Sequence, residues 1–429
     1  MHPSMKFTTK QIAFGLAAVL VFYFASSHRT RYSQDHIIWG DVEGYYCYLP
    51  MVFVDHSCHT LQLRTSDLRR NALNEEYSKY TCGLSYFFAP FFVVAGGITK
   101  AVGLPATGYG LWYYRAMCLC CAVWTTIGMM LLVKLLTRHF RRVTAWLTAA
   151  CLFLGTNYFH YATKYVGMAH VYDFALTAWI LYLFQSFLDN PRWHKTAGIA
   201  LLSGWLVLIR PTNVEFLLFV PFFMVNSKEA LLERWAFLRT HAKKGYFLIP
   251  LFILPMVPQL LYWKEMTGHW VMYSYGQETF CYWNNPKLLE VLFDTQNGLL
   301  LYSPVLLLLF VGLVRYWKDV RANAFGVSVL FCIITYTFAS WWAWFFGAAY
   351  GHRCYIDYYP VFAFPLAVAI ERTLAKKKVS KLVLGVFLVA MCYYNVRMSV
   401  QFDKTGIWDG KEWQWNYGRW WHEVKQGCL

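Results

Sequence analysis

Apolar residues in this chain come in long unbroken runs rather than in alternation. Ser303 to Val314 and Leu382 to Ala390 are typical. Runs of this kind, repeated from end to end, predict membrane-crossing helices, each needing roughly 20 residues to span the hydrocarbon. A transmembrane barrel would instead show alternation over about ten residues. The pattern predicts an all-α, polytopic transmembrane helix bundle. The expected spans are 11–27, 111–133, 143–160, 170–188, two within 196–226, 246–263, 302–314, 324–342, 357–370 and 382–399, about eleven in all. The pair within 196–226 is required because both flanks are basic. It would turn at Arg210-Pro211-Thr212-Asn213, since proline suits such a break. The run Gln11 to Ser27 reads as an uncleaved first helix rather than a cleaved signal peptide, because so many spans follow it.

Composition agrees with the pattern. The 429 residues are 58% hydrophobic and 20% aromatic, and only 14% are charged, against about a quarter in soluble domains. The net charge of +16 raises nucleic acid as a partner until its location is considered. The stretches 1–10, 134–142, 189–195, 227–244, 315–321 and 371–381 hold 21 Lys/Arg and five Asp/Glu, which is the whole excess. Basic residues gather on the cytoplasmic side of membrane proteins, so these are read as cytoplasmic and no nucleic acid is needed. The same rule lays 83–103 along the outer face as an interfacial helix, although it is apolar enough to span. The domain expectation is one membrane domain over 1–429. Within it lie a first outer loop with juxtamembrane helices over 28–110 and an outer tail over 400–429, rich in Trp (Trp408, Trp413, Trp415, Trp420, Trp421). Of the twelve cysteines, Cys47, Cys58, Cys82, Cys281 and Cys354 fall on the outer side, where disulfides can form but no pairing is legible.

Three polar groups stand out against this apolar background. Asp41 and Glu43 lie in "DVEGYYCYLP", with Tyr45 and Tyr46 beside them. They are either part of a solvated loop with an interfacial aromatic belt, or a general base partly shielded by aromatics, since desolvation makes a carboxylate a stronger proton acceptor. His352 and Arg353 lie in "GHRCYIDYYP" between two spans. They suit either a phosphate gripped by the arginine fork or an arginine snorkelling to the interface beside Asp357. Lys164, His170 and Asp173 in "TKYVGMAHVYDF", with Arg210 in "LIRPTN", are at or near membrane depth. Charges there are costly and point to function, unless Lys164–Asp173 or Arg210–Glu215 are structural pairs.

In order, these motifs resemble the GT-C class of membrane glycosyltransferases. The resemblance runs through the acidic first loop, Gly83-Leu84-Ser85 leading into Ala89-Pro90-Phe91-Phe92, "MAHVYDF", "RPTN", "NGLLLYSP" and "GHRCYIDYYP". It covers nearly the whole chain. It is nearest to a bacterial branch related to lipid-A-modifying aminoarabinose transferases and protein mannosyltransferases. The resemblance implies transfer of a sugar from a polyprenyl-phosphate carrier to a lipid, glycan or protein acceptor. The site would lie on the periplasmic face of the inner (cytoplasmic) membrane, among membrane lipids. Asp41, with Glu43 as the second candidate, would take the acceptor's proton. Arg353, His352, Arg210, Lys164 and His170 would hold the donor phosphate, with Tyr45 and Tyr46 walling the sugar and lipid. One displacement implies inversion, and no metal or other cofactor is expected, since two outer acids alone make a poor divalent site. Many such proteins carry a basic residue in the turn before "GLLLYSP", where this chain reads Asp294-Thr295-Gln296-Asn297. No large outer domain is read, so the acceptor would be recognised by short loops. A transporter or flippase of an anionic lipid or solute would equally use intramembrane cations and broken helices. Such folds often show pseudo-symmetric halves, and none are seen. An O-antigen-ligase-like enzyme would lack the first-loop acids.

The charge pattern generates a test of sidedness. Reporter fusions or cysteine labelling should place Arg141, Lys243 and Lys377 in the cytoplasm, with 28–82 and 400–429 outside. A tail inside would break the count of eleven.

Overall fold

The computed structural model describes residues 8–31, 37–61, 63, 68–72, 74–347 and 349–404. The Trp-rich stretch beyond 404 lies outside the described residues. Regular structure is almost entirely helical, and a helix stands at each apolar segment named above. Among the described residues, seven helices are long and apolar enough to cross a membrane: Thr9–Thr30, Cys82–Ala101, Leu111–Leu136, Ala169–Asp189, Gly245–Thr267, Val320–Ser340 and Lys378–Phe402. Arg142–Leu154, Trp193–Ile209 and Pro304–Arg315 are shorter apolar helices. Cys82–Ala101 thus has the length of a span, whereas charge placement had laid it along the surface.

The first helix shows how locally the boundaries are set. The Thr8 hydroxyl accepts from the Gln11 N–H while the Gln11 side chain accepts from the Thr8 N–H, a reciprocal cap that satisfies two otherwise unpaired donors. Arg31, in the left-handed region at φ 53°, closes the other end. Between them Ile12, Phe14, Leu16, Leu20, Val21 and Phe24 are exposed. Apolar surface on that scale needs hydrocarbon around it.

Contacts divide the chain into two compact units, each of which gathers distant segments. The first holds residues 1–131, 161–213 and 243–276. Its centre is the Ala169–Asp189 helix, buried along almost its whole length. Trp193–Ile209 packs on that helix and also meets Leu248–Ile253. Gly204 makes the second contact possible, because a Cβ there would overlap the Phe252 carbonyl. The first unit also contains a two-stranded antiparallel hairpin, Leu68–Arg70 with Glu76–Ser78, which the all-helical expectation lacked. Its turn is built by short polar side chains. The Glu75 N–H donates to the Asn71 side chain, whose amide donates to the Glu75 carboxylate and the Met266 carbonyl.

The second unit holds residues 132–160, 214–242 and 277–429. Its core is Tyr359–Leu374, buried from Tyr359 to Ile370 and packed against Leu307–Arg315 and Arg142–Leu154. At one end of this unit lies a charge cluster. Arg321 bonds Asp319 and Glu371 at 2.8 Å each, Arg372 bonds Asp319 at 2.8 Å, and the Arg141 N–H donates to Glu371 at 3.0 Å. Three of the basic stretches assigned to one side by charge alone therefore meet in space. Hydrogen bonds first from Arg321 and then from Arg372 hold the Asp319 carboxyl well below the usual carboxylate range, against the opposing effect of burial.

A carboxylate with a depressed pKa stabilises the folded state above its unfolded pKa, and that contribution is lost as pH falls through the folded value. Asp319→Asn should cost about 1–3 kcal/mol near neutrality, the range for hydrogen bonds to charged groups. The gap from wild type should close only in strong acid, as followed by thermal unfolding of the purified protein across pH. A gap unchanged into strong acid would remove the ion-pair explanation.

Candidate functional site

Seven of the expected site residues fall in the first unit: Asp41, Glu43, Tyr45, Tyr46, Lys164, His170 and Arg210. Asp41 opens the helix Asp41–Tyr46, directly after Gly40 at φ 54°. A negative charge is favoured in a helix's first turn. Asp41 is partly exposed, whereas Glu43 is 2% exposed. Of the two acids, Asp41 is therefore the more accessible to solvent.

The Asp41 carboxylate is held by Tyr80, whose hydroxyl donates to Oδ1 at 2.6 Å. Burial pushes the Tyr80 phenol far above its ordinary pKa, and the neighbouring Asp41 charge adds to the effect. It therefore remains a proton donor at any physiological pH. Tyr80 is itself fixed on two sides. Its ring lies 4.6 Å from that of Tyr45, and its carbonyl accepts from the Tyr48 hydroxyl at 2.6 Å. The Lys79 ammonium lies 5.3 Å from the Tyr80 ring and 5.6 Å from that of Tyr275. Tyr46 turns inward, donating to the Gly108 carbonyl at 2.6 Å beside Phe92 and Tyr109.

The cations reach this acid through two connections. The first runs by the turn between Lys164 and His170. Gly167 lies flat against Val42, one residue after Asp41, and a Cβ there would overlap the valine side chain. Lys164 donates to the Arg29 carbonyl at 3.1 Å, and Arg29 donates to the Thr163 hydroxyl at 2.5 Å, so the end of the first helix clasps the same turn. The second connection comes from the Trp193–Ile209 helix, which ends because the residue before Pro211 avoids helical angles. Arg210 is left extended at that break. The Trp205 indole donates to the Gly83 carbonyl and Thr81 to the Leu208 carbonyl, while Ser85 donates to the Tyr45 carbonyl. These bonds join the Arg210 end of that helix to the Asp41 helix. His170 closes the circuit: Arg210 can only donate, and the imidazole nitrogens lie 3.1 and 3.3 Å from its Nη1. Asp173, the other charged residue of this motif, is fully buried in the same unit. Glu215, in the second unit, accepts from the Thr337 hydroxyl at 2.6 Å.

Arg353 and His352 belong to the second unit. Arg353 is partly exposed and begins the turn Arg353–Tyr358. His352 is buried, bonded to the Trp344 carbonyl at 3.1 Å and stacked on Phe338 at 5.3 Å. The two preceding motifs frame them. Gly351, at φ 66°, brings its backbone onto Tyr302, where a Cβ would stand 2.7 Å from the tyrosine's own. Asn297 donates to the Phe345 and Gly347 carbonyls. The turn that lacks a basic residue thus has a structural duty of its own. Among the described residues no two cysteines form a disulfide.

This architecture has solved counterparts. Its fold is that of ArnT. ArnT from Cupriavidus metallidurans bound to undecaprenyl phosphate matches with a TM-score of 0.56 at 16% identity, over 90% of this chain and 64% of ArnT. The apo state of the same ArnT matches with the same score and coverage at 14% identity. The chain thus spans less than two-thirds of the length of ArnT. No protein-family profile and no curated protein matches the sequence. The GT-C-type likeness read from the motifs is therefore borne out as a likeness of fold with ArnT. Sequence reasoning passed over Tyr80, Lys79 and Arg29. The signal that could have found Arg29 was its place just after the first apolar run. Tyr80 carries no local signal, because it reaches Asp41 only through the hairpin.

The packing of Gly167 on Val42 predicts a compensating pair. Gly167→Ala should destabilise the protein by about 1–3 kcal/mol through overpacking, and Val42→Ala in the same chain should restore most of the loss. Unfolding midpoints of the two single variants and the double variant measure this. Additive losses would show that the two residues do not share a contact.

Proposed function

We propose that this protein is an integral-membrane glycosyltransferase that moves a sugar from a polyprenyl-phosphate donor to an acceptor hydroxyl. The observation that carries the reading is the circuit joining Asp41 to Lys164, His170 and Arg210 within a fold shared with ArnT, which was solved with undecaprenyl phosphate bound. A partly exposed carboxylate steered by a tyrosine, with a guanidinium and an ammonium on segments linked to its helix, matches what such a transfer needs.

In this scheme Asp41 accepts the proton of the acceptor hydroxyl as its oxygen attacks the anomeric carbon. The bond from that carbon to the phosphate oxygen breaks, and the electron pair leaves with the polyprenyl phosphate. A single displacement inverts the anomeric centre. Tyr80 holds the carboxylate in position. Arg210 and Lys164 offset the charge that grows on the departing phosphate, the usual place for the largest electrostatic gain. His170 holds the Arg210 guanidinium, and Glu43, being buried, shapes the helix. The motif resemblance alone assigns Arg353 and His352 to donor binding and places the reaction on the periplasmic side of the inner membrane. The acceptor is a lipid, glycan or protein, and no metal or organic cofactor enters the scheme.

Transfer from a polyprenyl-phosphate sugar, measured beside donor affinity, tests these roles. Asp41→Asn keeps the size and most hydrogen bonds but cannot take a proton, so turnover should fall about 100-fold or more with donor binding nearly unchanged. Glu43→Gln should be milder. Arg210→Ala and Arg353→Ala should each weaken donor use by about 1.5–3 kcal/mol, with partial rescue by lysine because the planar fork is lost. Full transfer by Asp41→Asn would overturn the base assignment, and donor transport without sugar transfer would replace the enzyme with a carrier.

A further inference from the structure

The helix Lys228–His241 in the second unit stands apart from the transfer chemistry, and not one of its residues is buried. At 100° per residue its two sides differ in kind. Ala230, Arg234, Phe237 and Leu238 are half-buried and turn toward the rest of the unit. Arg234 fixes that orientation by donating to the Pro221 and Phe223 carbonyls at 3.2 and 3.0 Å. On the opposite side Lys228, Leu232, Trp235, Ala236 and Arg239 follow at helical spacing, and all are exposed. Leu232 is 60% exposed and Trp235 40%. Trp235 meets Phe222 edge-on with ring centres 6.3 Å apart, which extends the apolar strip to the end of the preceding segment.

A solvated helix would place its large apolar residues on the packed side. This one keeps Leu231, Phe237 and Leu238 on the packed side but also presents Leu232 and Trp235 outward, with Lys228 and Arg239 beside them and Glu229 and Glu233 along the other edge of the exposed arc. Apolar anchors between cations are the composition of a helix lying in the headgroup layer, where side chains enter the acyl boundary and cations meet anionic headgroups. The stretch 227–244 carries five Lys/Arg and two Asp/Glu, so the complementary surface is negative. We infer that Lys228–His241 lies in the membrane interface and binds anionic phospholipid headgroups through Lys228 and Arg239, with Leu232 and Trp235 inserted beneath them.

Nitroxide depth measurement on the full-length protein in vesicles tests this, with the label at Leu232→Cys or, on the flank, at Glu233→Cys. Other accessible cysteines would be replaced by serine. In vesicles containing phosphatidylglycerol, the Leu232 label should be several-fold more accessible to oxygen relative to a water-soluble nickel complex than the Glu233 label. In phosphatidylcholine alone, that ratio should fall at least threefold. Lys228→Gln with Arg239→Gln should abolish the difference between the two lipids, as should raising salt from about 0.1 M to about 1 M, where screening shortens to roughly 3 Å. A Leu232 label as open to nickel as the Glu233 label in both vesicles would overturn the insertion and leave the face to a protein partner. Insertion indifferent to lipid charge, salt and both substitutions would overturn the anionic recognition. The readout needs no enzymatic activity, so it stands or falls independently of the proposed transfer.

Discussion

A guanidinium at the broken end of an apolar helix must be solvated by something other than hydrocarbon, and the first unit is arranged around that demand. Pro211 stops the helix, Arg210 is left extended, and His170 receives it. For His170 to be there, the turn from Lys164 must pass close under the Asp41 helix, and only a residue without a side chain fits at position 167. The cost of one charge at the end of an apolar helix thus fixes the path of a loop, the contact with Val42 and the setting of the acid one residue before it. Polar groups in this environment organise structure before they perform chemistry.

The parts of this arrangement that sequence could reveal are those governed by local chemistry. Unbroken apolar runs gave the helices, and Pro211 gave the break. The uneven charge distribution put 134–142, 315–321 and 371–381 on one side, and Arg141, Asp319, Arg321 and Glu371 do meet at one end of the second unit. What could not be read was anything depending on two distant segments touching. The hairpin at Leu68–Arg70 is too short to show a period. Tyr80 is one tyrosine among 31, and nothing near it in sequence points to Asp41. Asp41 and Glu43, alike in sequence at a spacing of two, differ in a burial that only the folded helix creates.

The second unit shows the same division of labour with a different balance. Its expected cation, Arg353, has a neighbour in His352 that is stacked and bonded to a carbonyl, so one member of an apparently paired motif holds the backbone in shape. Asn297 does likewise, donating to the Phe345 and Gly347 carbonyls. Motif residues in an aromatic-rich membrane fold can hold up their neighbours as readily as they can bind a ligand, and burial separates the two duties.

Gly351 carries this into evolutionary terms. Its backbone lies so close to Tyr302 that any side chain would collide with a neighbouring helix, whatever molecule the protein handles. A charge can migrate to another position and still neutralise the same phosphate, but an excluded volume has no substitute location. Lineages diverging from this chain toward new sugars or acceptors are free to trade their acids and cations, whereas the crevices that admit only hydrogen bind every descendant alike.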